Sequence, residues 1–276
     1  MPDPPTRPNA AGTVRPAVTK QPLGFQLYTI RKILKDHAAE ALERLASAGY
    51  KTIESMHADN ALVLPLCKQF GLQPVSCHFD TALVAGDHNA YEKAVDEAAA
   101  AGFKYLVTYL LLAERCSLDT FRRYADKFNH AAEATHKAGM QFCYHHHAYE
   151  FGSTEGSRPI DVFLDRFDPK LVKLETDVFW ASVAGQDPAE LIREWKGRVV
   201  LIHLKDKAPG LKTRYAEDLS PNAFREIGLG VLDFPTILAA AREAGIEHYF
   251  VEQDEVADDP VDSLTYSLHT LEKLRF

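Results

Sequence analysis

One junction recurs along this chain and restricts what it can fold into. A stretch of helical character ends in a glycine, an apolar residue often follows, and a short β-branched or aromatic run begins. It occurs at Ala48-Gly49-Tyr50, Phe70-Gly71-Leu72, Ala101-Gly102-Phe103, Ala138-Gly139-Met140 and Ala244-Gly245-Ile246, with Lys196-Gly197 as a sixth case. The residue after a helix turns left-handed, and glycine does so without a Cβ penalty. The runs after these glycines read as strands at 51–54, 74–78, 104–109, 141–147, 199–205 and 248–253. Two more strands are expected, at 23–28 and, after Asp168-Pro169, at 171–177.

The intervening segments read as helices. Ala38, Ala41, Leu42, Leu45 and Ala46 recur at helical spacing within 36–48, and 91–101 and 118–138 are helical in composition. Asp187-Pro188, Phe234-Pro235 and Asp259-Pro260 open three further helices. Eight strands alternating with helices imply parallel strands joined by right-handed crossovers. Within roughly 250 residues this predicts a single α/β domain, a (β/α)8 TIM barrel, over 23–276. Neither GxGxxG after the first strand nor GxxxxGK[ST] anywhere supports a doubly wound nucleotide-binding sheet. Six prolines crowd residues 1–22, which read as a disordered or strapped-down tail.

Composition narrows the function classes. The 276 residues are 46% hydrophobic and 25% charged, the mix of a globular protein. Lys+Arg 31 against Asp+Glu 39 leaves a net charge of −8, which argues against a nucleic-acid partner. The irregularly spaced Cys67, Cys77, Cys116 and Cys143 read as thiols of a reducing compartment. No apolar run reaches the ~20 residues of a membrane span and no signal-type apolar segment stands near the N-terminus. The expectation is a cytoplasmic protein with no membrane partner; its oligomeric state stays open.

Catalytic groups of such barrels come from the C-terminal ends of the strands. Titratable residues gather there: Glu54 and His57, His78, the run His145-His146-His147 continuing to Glu150, Glu175 and Asp177, His203 and Lys205, Glu252 and Asp254. Residues two apart in a strand share a face, so His145 pairs with His147, Glu175 with Asp177, His203 with Lys205, and Glu252 with Asp254. Carboxylates and imidazoles converging at a barrel mouth suit a divalent metal such as Mn²⁺, Zn²⁺, Mg²⁺ or Co²⁺.

The stretches Gly24-Phe25-Gln26-Leu27-Tyr28-Thr29-Ile30-Arg31, Tyr144-His145-His146-His147-Ala148-Tyr149-Glu150-Phe151, Leu174-Glu175-Thr176-Asp177, His203-Leu204-Lys205-Asp206, Gly228-Leu229-Gly230 and Val251-Glu252-Gln253-Asp254 occur in this order. Together they resemble the sugar phosphate isomerase/epimerase superfamily of xylose isomerase-like barrels. The resemblance runs from Leu23 to the C-terminus. It implies a metal held by Asp177, His203 and Glu252, with Glu150 as the strand-five ligand. Related epimerases place a glutamate within strand five, where this chain has His145, so His145 and His147 remain substitutes for Glu150 or substrate-binding groups.

The implied activity is a sugar isomerase or epimerase. An α-proton of a ketose or keto-sugar is removed, and the metal stabilises the resulting enediolate. Glu150 and Glu252 are the acid/base candidates, Lys205 and His147 the next ones, and Glu54, His78 and His145 the substrate-binding residues. The same first step serves a lyase or dehydratase acting on a 3-keto-glycoside or keto-inositol. More distant alternatives are an endonuclease IV-like repair enzyme and a sugar-binding barrel without catalysis. A phosphorylated substrate lacks support: Glu226, beside Gly228-Leu229-Gly230, would repel an anion, and the loop reads as a tight turn.

Overall fold

A computed structural model describes residues 22–110 and 117–274. The proline-rich stretch before Pro22 and Cys116 lie outside the described residues. Eight parallel strands close a barrel: β1 (Leu23–Gln26), β2 (Thr52–Met56), β3 (Gln73–Phe79), β4 (Tyr105–Tyr109), β5 (Gln141–His145), β6 (Val172–Asp177), β7 (Val199–Leu204) and β8 (His248–Val251). Each neighbours the next in sequence, and β8 closes on β1. The expected strands all form, although four of them stop short of the ends read from the sequence. Those last residues leave the ladder to form the mouth.

One long helix follows each strand: α1 (Arg31–Ala48), α2 (Asn60–Phe70), α3 (His88–Ala101), α4 (Leu118–Lys137), α5 (Pro159–Arg166), α6 (Pro188–Glu194), α7 (Phe234–Ala244) and α8 (Pro260–Lys273). The junction glycines behave as their position requires. Gly71 and Gly245 follow α2 and α7 at φ 71° and 81°, both left-handed. Asp187 and Asp259 cap α6 and α8 through side-chain bonds to backbone N–H groups, with proline in the first turn. Among the described residues no helix is long and apolar enough to cross a membrane.

The barrel interior is layered. Tyr105, Val107, Cys143, Leu201 and Phe250 form a buried apolar floor. Two residues further along the same faces, the lining turns ionisable. Outside the strands, the larger core joins the helices to the outer faces of the sheet. Cys67, Cys77 and Cys143 are buried free thiols.

The segment after β7 is organised by one side chain. Asp206 is buried, and its carboxylate accepts the N–H groups of Lys207 (2.8 Å), Gly228 (2.9 Å), Gly230 (3.0 Å) and Leu232 (3.1 Å). A Cβ at Gly230 would lie 2.2 Å from Asp206 Oδ1, so that position has no room for a side chain. A two-residue antiparallel pair, Asp206–Lys207 with Phe224–Arg225, closes the loop. The tight turn expected here has its cause in Asp206. Replacing Asp206 by Ala strands four backbone donors, so unfolding in urea should show a loss of roughly 2–4 kcal/mol, with new protease cleavage around Gly228–Leu232.

Candidate active site

Deepest in the polar layer lie two carboxylates, Glu54 on β2 and Glu175 on β6, both fully buried. Glu54 Oε2 accepts from Gln26 Nε2 at 2.9 Å and makes a short contact with His203 Nε2. Glu175 Oε2 lies 2.9 Å from His145 Nδ1 and 3.0 Å from His78 Nε2, and His78 Nε2 is also 3.1 Å from Glu54 Oε2. Burial opposes charge on both acids. His78 and His203 nevertheless hold Glu54 well below the usual carboxylate range, while Glu175, buried beside it, is raised.

One layer above, Asp177, His203 and Glu252 converge. Asp177 ends β6 and caps the short helix Val178–Val183. Its Oδ1 accepts from Phe179 N (2.9 Å) and Trp180 N (3.0 Å), which leaves Oδ2 facing the barrel. His203 Nδ1 stands 2.8 Å from Glu252 Oε2 and 3.8 Å from Asp177 Oδ2. Lys205 Nζ lies 2.9 Å from Asp177 Oδ2, 2.6 Å from Glu252 Oε2 and 2.6 Å from Asp254 Oδ1.

The electrostatics show an environment built for positive charge. Burial disfavours a cationic His203, yet the Glu175, Glu252 and Glu54 carboxylates push it well above its ordinary value. Burial would also raise Glu252, but Lys205 and His203 hold it well below the carboxylate range. Burial first, then the nearby Lys205 charge, keeps His147 well below its ordinary value and hence neutral. Asp254 is pushed up to about 6 by burial against the pull of Lys205.

These groups meet a cavity of about 280 Å³ at the barrel mouth, near the lower end of the ~300–1,000 Å³ common for small-molecule sites. Six of the residues expected from the sequence line it: His78, His145, His147, His203, Lys205 and Glu252. Glu54 sits beneath, bonded to His203. Asp177 presents its Oδ2 to His203 and Lys205.

Glu150 requires a correction. It was expected as ligand and acid/base, but it lies on the 3-10 turn Tyr149–Phe151, which folds its side chain back on β5. Oε1 accepts from Tyr144 Oη (2.7 Å) and Oε2 from His147 N (2.9 Å), and Glu150 does not line the cavity. It braces the turn that carries His147.

Sequence reasoning left other lining residues unassigned. Trp180, Phe224, Tyr109 and Tyr28 supply aromatic walls, and Glu217, Asp254 and Glu255 supply acids. Asp254 and Glu175 carried a signal, being two residues from Glu252 and Asp177 on the same face. Trp180 and Phe224 carried none, because the short helix Val178–Val183 and the two-residue strand Phe224–Arg225 aim them. His147 Nδ1 and Trp180 Nε1 are buried with no hydrogen-bond partner, and both residues line the cavity.

The donor set fits a divalent metal. Ligand atoms of Asp177, His203 and Glu252 all lie within 4.8 Å of one another, and all three residues are buried. Asp177 Oδ2 and His203 Nδ1 have close neighbours but no aligned hydrogen bond. Buried polar atoms left this way are costly unless a cation serves them. Two carboxylates and an imidazole match the preferences of Zn²⁺, Mn²⁺ or Co²⁺.

Comparison with known proteins places this geometry. A model of the xylose isomerase-like TIM barrel family matches residues 42–274. The chain belongs to that family. It is 28% identical over 160 residues to inosose dehydratase of Geobacillus thermodenitrificans (strain NG80-2), covering 54% of this chain and 52% of that protein. The chain thus spans about half the length of the curated relatives it matches. A sugar phosphate isomerase/epimerase from Parabacteroides distasonis ATCC 8503 superposes with a TM-score of 0.74 at 26% identity, covering 96% of this chain and 98% of that one. The IOLI protein with a binding zinc atom shares the fold at a TM-score of 0.73 and 15% identity, covering 92% of this chain and 98% of that one.

Burial raises the Glu150 carboxyl to about 8, against the bonds from Tyr144 and the backbone. A carboxyl raised on folding stabilises below its unfolded pKa and loses that contribution as pH climbs through its folded one. The wild type should therefore lose stability relative to Glu150→Gln between about pH 5 and pH 8. Thermal melts of both proteins across that range check it; a constant gap would contradict it.

Proposed function

We propose that this chain is a metal-dependent enzyme that removes the proton beside the carbonyl of a ketose, keto-sugar or keto-cyclitol, with isomerisation or epimerisation as the outcome. The observation that carries this reading is the convergence of Asp177, His203 and Glu252 at the cavity floor, with no aligned hydrogen bond to Asp177 Oδ2 or His203 Nδ1. When bound there, a divalent ion supplies Lewis-acid polarisation of a carbonyl oxygen.

The chain's own residues supply the rest. Glu252, held ionised by Lys205 and His203, suits a ligand better than a proton donor. The Lys205 ammonium, gripped by three carboxylates, offers fixed positive charge to an oxygen that becomes negative. Asp254 reaches the cavity from the end of β8, and its carboxylate, bonded to Lys205 Nζ, can take a proton. His147, beyond the end of β5, presents a neutral ring with an unpartnered Nδ1 from a different part of the wall. Acid/base groups on two walls permit a proton to leave one face of a carbon and return to the other. The aromatic walls of Trp180, Phe224 and Tyr109 suit the apolar faces of a polyol ring.

Elimination of water is the second reading, favoured by the match to inosose dehydratases. Lys205 beside Asp254 could then protonate a departing hydroxyl.

Incubating the metal-loaded protein in D₂O with a panel of ketoses, keto-glycosides and keto-inositols separates these outcomes. Deuterium incorporation without loss of water marks epimerisation or isomerisation, and loss of water marks the dehydratase. No exchange into any member of the panel would count against both. Glu252→Gln should lose bound metal and exchange together. Asp254→Asn should keep the metal and lose exchange by roughly 10²-fold or more.

A further inference from the structure

Resting on the metal-dependent reading above, we infer that His146 is a positioning residue: its neutral imidazole, protonated at Nδ1, ties the Asp177 N–H to the His147 carbonyl and so sets the spacing between a metal ligand and an acid/base group on different walls of the cavity.

The protonation state follows from two partners that each have a single role. A backbone N–H only donates, and that of Asp177 donates to His146 Nε2 at 3.3 Å, so this nitrogen carries the lone pair. A carbonyl only accepts, and that of His147 lies 3.3 Å from His146 Nδ1, so this nitrogen carries the proton. The ring is fully buried, which disfavours a second proton.

The backbone shows why a side chain is needed at this point. The ladder between β5 and β6 ends at the pair His145 and Glu175, while β6 runs on to Asp177. Two residues further, the same register would set His147 opposite Asp177. Instead β5 leaves the sheet, and His147 turns to the cavity wall. A buried N–H without an acceptor is costly, and the His146 ring spans the gap to supply one.

Both linked residues are also held from other sides. His147 N donates to Glu150 Oε2 at 2.9 Å, so its peptide groups are fixed by Glu150 on one side and by His146 on the other. Asp177 Oδ1 accepts from Phe179 N and Trp180 N, and with its own N–H fixed by His146, Oδ2 is directed at His203 and Lys205. Phe151 and Trp195 meet the His146 ring edge to face, with centroids 5.1 and 5.6 Å away, and fix its plane. His146 does not line the cavity and acts through its two neighbours.

NMR of the metal-free wild type carrying ¹⁵N-labelled histidine reads the ring directly. At neutral pH His146 is expected as the Nδ1–H tautomer; an Nε2–H tautomer or a charged ring would overturn the inference. Two variants test the consequence. His146→Phe keeps a ring between Phe151 and Trp195 but removes both hydrogen bonds. Its Zn²⁺ affinity, in competition with a chromophoric chelator, should fall about 10–100-fold, the usual loss when a support behind a metal ligand is removed. His146→Gln, whose Oε1 restores an acceptor for the Asp177 N–H, should recover most of that loss and the wild-type Co²⁺ absorption spectrum. A folded His146→Phe that binds Zn²⁺ as the wild type does, or equal losses in the two variants, would overturn the inference and leave the metal reading intact. A wild type that takes up none of Zn²⁺, Mn²⁺ or Co²⁺ would defeat the metal reading, and the positioning role with it.

Discussion

Two carboxylates inside a parallel barrel are the constraint on which the site depends. Glu54 and Glu175 have no exposure, and a buried carboxylate without partners would cost several kcal/mol. Their Oε2 atoms are engaged by His78, His145, His203 and Gln26, all projecting into the same space, while each Oε1 is buried without a hydrogen-bond partner. Each histidine that engages a deep carboxylate is fixed in ring orientation. The upper site therefore inherits its geometry from the layer below. The apolar floor of Val107, Cys143, Leu201 and Phe250 lies beneath, and the barrel's large outer core offsets the cost of the polar interior.

Charge balance in the upper layer points the same way. Asp177, Glu252 and Asp254 surround a single ammonium, Lys205. Three carboxylates against one ammonium leave an excess of negative charge, which a divalent ion would offset. Lys205 is unsuited to the whole task. A single flexible ammonium close to three acids cannot align with every oxygen, and Asp177 Oδ2 stays out of hydrogen-bond alignment although Lys205 is 2.9 Å away.

The legibility of the sequence followed its periodicities. Helix–glycine–strand junctions showed the alternation and hence the barrel, because both the left-handed turn and the strand pattern are local properties. Strand alternation also predicted that Asp177, His203, Lys205 and Glu252 face one mouth. Reasoning failed where a side chain leaves the strand. Glu150 is five residues beyond His145, and a 3-10 turn that no periodicity announces returns its carboxylate to Tyr144 and the His147 backbone. Glu175 was visible as the partner of Asp177 on one face, but its depth was not, since depth depends on how far β6 slides against β7. The irregular register between Leu174 and Glu175 sets that slide. Trp180 comes from the short helix after β6 and Phe224 from the two-residue strand after β7, and the path of both is decided by packing.

The loop after β7 shows how one residue narrows the ligand chemistry. A glycine-rich turn in this place, with several N–H groups aimed at one point, is a frequent way for such barrels to bind phosphate. Here the point is already taken. Asp206 fills it with its own carboxylate, bonded to Lys207, Gly228, Gly230 and Leu232, and the missing Cβ of Gly230 gives that carboxylate room. Glu226, to which the sequence reading assigned the repulsion of an anion, is a weaker reason than this internal occupant. The cavity repeats the message: its cations Arg31 and Lys205 are engaged by Glu255 and by Asp177, Glu252 and Asp254. An incoming phosphate would meet four acids, Glu217, Glu252, Asp254 and Glu255, before any free positive charge. The electrostatics of this mouth therefore disfavour an anionic group such as phosphate.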